Sequence, residues 1–94
     1  MKLRAYSIYD CKALQYHPPF FAATDGAALR SFSELSNDVN TTVGRHPVDY
    51  TLWCVGEYDD NTGQFHPILP LAHVADASAL VKVQQPFNFD RKDQ

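Results

Sequence analysis

Ninety-four residues with 45% apolar side chains, six Phe, five Tyr and one Trp describe a folded chain rather than a disordered one, long enough for one modest core that buries roughly 60–70% of the extended-chain surface. No run of about 18 apolar residues is present, which excludes a membrane-spanning helix, and Met1 to Tyr6 lack the apolar stretch of an export signal, so a cytosolic protein is expected. The net charge of −3 divides into +1 over residues 1–48 and −4 over residues 49–94, which argues against indiscriminate polyanion binding by a monomer and leaves room for a local basic face.

Lys2 to Asp10 alternates as a strand: Leu3, Ala5, Ser7 and Tyr9 form one row, and Lys2, Arg4, Tyr6 and Ile8 form the other. The second row mixes basic and aromatic groups, suited either to phosphate and stacked bases or to a solvated edge with two residues turned inward. A connector follows from Cys11 to Pro19, where Pro18-Pro19 forbids helix. Phe20 to Ala23 is a short strand-like run leading to Thr24, a good N-cap, with Asp25 placed to complement the helix dipole. Ala28, Leu29, Phe32 and Leu35 then recur at helical spacing, which predicts a three-turn helix over Asp25 to Ser36 that must pack on a sheet to be stable. Val39 to Val48 reads as a polar loop.

The most strongly punctuated stretch is His46 to Ile68. Tyr50 to Tyr58 is rich in β-branched and aromatic residues, and Asp60-Asn61-Thr62-Gly63 reverses the chain, with Gly63 in the left-handed conformation of a bulged turn. Leu52, Cys54 and Gly56 alternate with Thr51, Trp53 and Val55, so a central strand covered on both faces is expected. Pro67 and Pro70 are expected to end the second strand of this hairpin early, and His73 to Val83 is compatible with either a last helix or a strand. Residues 1–83 form the expected domain, and 84–94 a tail holding Phe87 and Phe89.

Chemistry is sparse. His17, His46, His66 and His73 do not fall at metal-ligand spacing, and neither Cys11 nor Cys54 has a close cysteine partner, so no metal, cofactor or disulfide is expected. Asp59 to Gly63 opens like a calcium loop, but Pro70 and Leu71 stand where its closing carboxylate belongs. Cys11 with His17 or His46 is conceivable as a nucleophile pair, yet no local signature supports an enzyme, and the four glycines are too scattered for a phosphate loop. A nucleic-acid site remains: single-strand binders join a cationic track to aromatic platforms, and the candidates are Lys2, Arg4, Tyr6, Lys12, Tyr16, Arg30 and Arg45. Packing in the core or at its rim is the competing explanation for Tyr6, Tyr16 and Phe21, and composition by itself prefers a protein-interaction module.

Several blocks in order carry a family resemblance: Tyr6-Ser7-Ile8-Tyr9-Asp10-Cys11-Lys12-Ala13, Pro18-Pro19-Phe20, Thr24 to Phe32, Asn37-Asp38, His46 to Leu52, and Gly56 to Gly63. Together they make the chain resemble the small non-structural protein of the gokushoviruses, single-stranded-DNA phages of the Microviridae. The resemblance implies a replication-stage protein of the host cytoplasm, absent from the virion. It also implies a counterpart of the microvirus C protein, which favours single-stranded genome synthesis and packaging over duplex replication. DNA binding is the role it carries.

The expected fold is α+β: an antiparallel sheet of about four strands in the order β-β-α-β-β, with one main helix on one face and Trp53 and Phe32 at the sheet–helix contact. The expected function is a non-catalytic, single-stranded-DNA-associated homodimer. The alternative is an adaptor docking on a phage or host replication or assembly protein through Phe87, Phe89 and the first strand, with no membrane partner in either case.

Overall fold

The computed structural model describes residues 1–82; the proposed tail contacts Phe87 and Phe89 lie outside them. Five strands form one antiparallel sheet: β1 (Lys2–Asp10), β2 (Gln15–Tyr16), β3 (Phe20–Ala22), β4 (Tyr50–Asp59) and β5 (Gln64–Asp76). Helix α1 (Asp25–Ser36) follows β3; a single turn α2 (Thr42–Arg45) and a 3-10 turn (Pro47–Asp49) lead into β4, and α3 (Ala77–Leu80) follows β5. In space the order is β2-β1-β4-β5, with β3 sharing the β2 side of β1. The α+β class and the main helix agree with the sequence pattern. The connector after β1, however, contributes a fifth strand, and the loop after α1 holds two short helical turns.

Helix α1 begins where its cap chemistry demands. The Thr24 hydroxyl accepts the Ala27 N–H at 3.2 Å, satisfying one of the unpaired first-turn donors. Asn37 closes the other end and ties it to the end of α3. Its amide donates to Ser33 O at 2.8 Å and Leu80 O at 3.0 Å, and its side-chain oxygen accepts from Lys82 N at 2.8 Å.

The β4–β5 turn is as predicted. Gly63 has φ 72°, where a side chain would be strained, and its N–H donates to Asp59 O at 2.8 Å. Beyond it the second strand does not stop at the prolines. Gly56 pairs with Pro67 and Cys54 with Ala72, so Ile68 to Leu71 bulge out and β5 resumes to Asp76. Proline is tolerated here because β5 is the sheet's edge and need not donate to a further strand.

The pairing of β1 with β4 contains one irregularity with large consequences. Ala5 pairs with Gly56 and Tyr6 with Cys54, leaving Val55 as an extra residue. One face therefore carries Tyr6, Ile8, Tyr50, Leu52 and Cys54, which join Ala28 and Phe32 of α1, Val43 of α2 and Ala77 of α3 in the buried core. The other face takes Ala5, Ser7, Trp53 and, displaced by the bulge, Gly56. Two expectations are corrected. Strand β4 is not covered on both sides, because the helical elements of the described residues gather on one face. Trp53 does not meet α1; it is only half-buried on the opposite face, and Leu52 and Cys54 take the contact with Phe32. The register against β1 settles this: Leu52 pairs with Ile8 and Cys54 with Tyr6, so both share the face of the buried core, while Trp53 pairs with Ser7 on the other.

Phe32 is completely buried, so Phe32→Ala is expected to cost about 3–5 kcal/mol through lost burial and the cavity left behind. Trp53→Ala should cost less than about half as much. Urea unfolding of the two variants measures the difference, and equal losses would contradict the one-sided core.

Candidate functional site

Among the described residues no enclosed cavity opens, so the surface that can do chemistry is an open one: the face of the sheet away from α1. Strand pairing sets its rows. At one end Leu3, Tyr58 and Phe65 lie side by side, and Phe21 lies beside Ala5. In the middle Ser7, Trp53 and His73 form a row; at the far end Tyr16, Tyr9 and Thr51 form another.

The rings meet in pairs. Phe21 and Tyr58 have centroids 5.5 Å apart, Trp53 and His73 5.2 Å, and Tyr9 and Tyr16 4.6 Å, all tilted or edge-on rather than stacked on one another. Phe21, Phe65 and Tyr16 remain 46%, 43% and 42% exposed. Two polar contacts fix the middle row: Trp53 Nε1 donates to Thr51 Oγ1 at 2.9 Å, and Ser7 Oγ donates to His17 O at 2.7 Å. Gly56 fixes the first. A Cβ there would stand 2.6 Å from Phe65 Cζ and 2.8 Å from His66 O, so the absent side chain is the space that Phe65 occupies.

The sequence-predicted site residues are not brought together. Tyr6 is fully buried in the core beneath α1, stacked on Phe20 with centroids 5.8 Å apart, and cannot offer its ring to a ligand. Arg4 shares that face, its Nε donating to Tyr6 Oη at 3.1 Å and Asp25 Oδ1 at 3.0 Å. Its charge is committed to holding the start of α1 against β1. Lys2 pairs with Asp59 across the β1–β4 ladder. Arg30 lies on exposed α1, 3.9 Å from Glu34, and Arg45 ends α2 with its guanidinium donating to Val39 O at 3.2 Å. Lys12 is in the turn between β1 and β2, next to the Tyr9–Tyr16 pair, and Tyr16 alone of the seven belongs to the open aromatic face. The residues missed are Tyr9, Phe21, Trp53, Tyr58 and Phe65. The alternation of Trp53 against Leu52 and Cys54 was the available signal, but apolarity alone favoured the indole as core.

The Arg4–Tyr6–Asp25 cluster joins three titratable groups by direct hydrogen bonds. The Tyr6 hydroxyl donates to Asp25 Oδ1 at 2.5 Å. Burial, reinforced by this bond, pushes the Tyr6 phenol up to about 12. The same hydroxyl, followed by the Arg4 charge, holds the Asp25 carboxyl below its ordinary range. The potential nucleophiles lie apart: Cys54 is buried in mid-strand, and exposed Cys11 has its Sγ 3.9 Å from the Asp49 carboxylate. No described helix is long and apolar enough to cross a membrane.

Residues 3–80 match the protein family described as Phage ORF5 protein. No curated protein and no solved structure matches the chain.

Two outcomes follow from these geometries. Because the folded carboxyl of Asp25 titrates below its unfolded value, its stabilising contribution is complete above about pH 4 and disappears as pH falls through the depressed value. Asp25→Asn should therefore be less stable than wild type at neutral pH, with the gap closing in acid. Urea unfolding at a series of pH values reads this, and a gap independent of pH would exclude it. Gly56→Ala should displace Phe65 and cost about 1–3 kcal/mol through overpacking, seen as a lower melting temperature.

Proposed function

The chain belongs to the Phage ORF5 protein family and is a bacteriophage protein, and from that premise we propose that it is a non-catalytic, non-structural protein of the gokushovirus type that associates with single-stranded DNA. On this reading it is the counterpart of the microvirus C protein, working in the host cytoplasm, outside the virion, to favour single-stranded genome synthesis and packaging over duplex replication. The observation that supports it is the open sheet face bearing Tyr9, Tyr16, Phe21, Trp53, Tyr58 and Phe65. Rings presented from a rigid sheet offer π-faces that bases of any sequence can stack on. Non-catalytic action is supported by the positions of the thiols, one inside the core and the other beside a carboxylate.

The sheet architecture supports a change in which residues make the contact. Lys2, Arg4, Arg30 and Arg45 lie away from the aromatic rows, and Tyr6 is internal, so Lys12 and Tyr16 are the retained contacts from the basic-and-aromatic set. A homodimer also fits, since a small sheet with an uncovered aromatic face commonly takes a partner. The adaptor alternative draws support from charge: the paired rows of this face contain no lysine or arginine. Strand β1 is a poor docking edge for it, having β4 on one side and β2 and β3 on the other.

Fluorescence anisotropy of a labelled oligothymidylate of about 20 nucleotides, with the mass in solution measured in parallel, tests the proposal. Saturable binding at micromolar protein is expected, and it should weaken in a Phe21→Ser/Phe65→Ser variant that stays folded. A flat titration with the wild-type protein would remove the DNA reading.

A further inference from the structure

The open face has a property that basic patches on nucleic-acid binders lack: it is nearly uncharged. Its paired rows hold aromatic, small and hydroxyl side chains, and their one charged contact is at a corner, where His73 Nε2 and Asp76 Oδ1 are 2.7 Å apart. Most cations are elsewhere, with Lys12 at the edge, in the turn next to the Tyr9–Tyr16 pair. Arg4 is bound to Asp25 on the helix side, and the amino-terminal ammonium is held by Asp60 at 2.8 Å. Phosphates lying across this face would find almost no counter-charge, whereas bases would find rings.

The rings form three stations along β4: Phe21 with Tyr58, then Trp53 with His73, then Tyr9 with Tyr16. From Tyr58 to the level of Tyr9 the strand runs roughly 20 Å, the reach of a short stretch of extended single strand. Within each station the rings meet at 51°, 77° and 49° respectively. They therefore do not close face to face on one another, and π-surface is left over for a flat ligand.

We infer that this face recognises unpaired bases rather than phosphates, taking a short single-stranded DNA segment by stacking at the three stations with its phosphodiester chain left in solvent. The inference rests on the DNA reading of the face and specifies what is recognised. Duplex DNA is excluded because its bases are stacked on each other and present only their edges. Sequence preference is weak because the stations offer ring faces and few directional donors. The dependence on salt is shallow, since few counterions are released.

Trp53 is the sole tryptophan, so its emission reports stacking directly. The wild-type chain is titrated with oligothymidylate, with an abasic phosphodiester of the same length, and with duplex. Quenching by oligothymidylate is expected, with none from the other two. A rise in salt of about fourfold should weaken binding by no more than about threefold, the effect of one neutralised phosphate. Phe21→Ser/Phe65→Ser should weaken it by roughly tenfold or more with circular dichroism unchanged. If the abasic chain binds as well as oligothymidylate, and salt weakens both by more than about tenfold, the protein holds DNA through phosphates and the inference is overturned while the DNA reading stands. If no nucleic acid binds at any salt, the DNA reading itself fails. If the double variant turns a dimer into a monomer without changing oligothymidylate binding, the face belongs to a second copy of the chain, and base recognition there is overturned.

Discussion

The pairing of β1 with β4 is the constraint on which the rest of the molecule depends. Side chains alternate across a strand with a period of two, so one residue more or less in a strand exchanges its faces from that point on. The extra residue at Val55 does this between Cys54 and Gly56. Cys54 points into the core beside Leu52, while Gly56 joins Ala5 and Trp53 on the other side. Phe32 of α1 is buried in the same cluster as that inner row. The empty place at Gly56 lets Phe65 lie over the outer face.

Two unlike faces result. The inner one is closed by α1, α2 and α3, and its polar rim is organised around the Arg4–Tyr6–Asp25 cluster, where a buried phenol joins β1 to the first turn of α1. That cluster uses the arginine and tyrosine most easily mistaken for a nucleic-acid site. The outer face keeps its rings partly in water, with three pairs tilted or edge-on to one another. Contiguous aromatic exposure of this kind carries a standing hydrophobic cost unless something is bound there.

The separation of charge from aromaticity is the functional lesson. A cationic groove lined with rings gathers nucleic acid by long-range attraction and loses it in salt. On the proposed reading, a neutral ring-bearing face on a chain of net charge −3 works at contact distance, through shape and π-surface. For a phage protein proposed to act where single strands accumulate, such a face would respond to the unpaired state of the bases and little to their sequence.

Much of this was legible in the residues. Thr24 and the apolar stripe through Phe32 determined α1, Asp59 to Gly63 determined the turn, and the alternation of Lys2 to Asp10 and Tyr50 to Tyr58 determined two strands, because caps, turns and periodicity are local properties. The continuation of β5 past Pro67 and Pro70 was not local: it requires knowing that β5 is an edge, where a missing N–H goes unnoticed. Nor was the position of Trp53. Its alternation with Leu52 and Cys54 assigned it to a face, but which face is interior is set by the pairing with β1, and whether Gly56 follows Cys54 or Trp53 is set by a bulge defined against the same strand. The sequence by itself determined the main helix, the strands β1 and β4, the turn after β4 and the phage family resemblance. The tertiary structure decided which side of the sheet is interior, because that depends on register between residues forty or more positions apart in the chain.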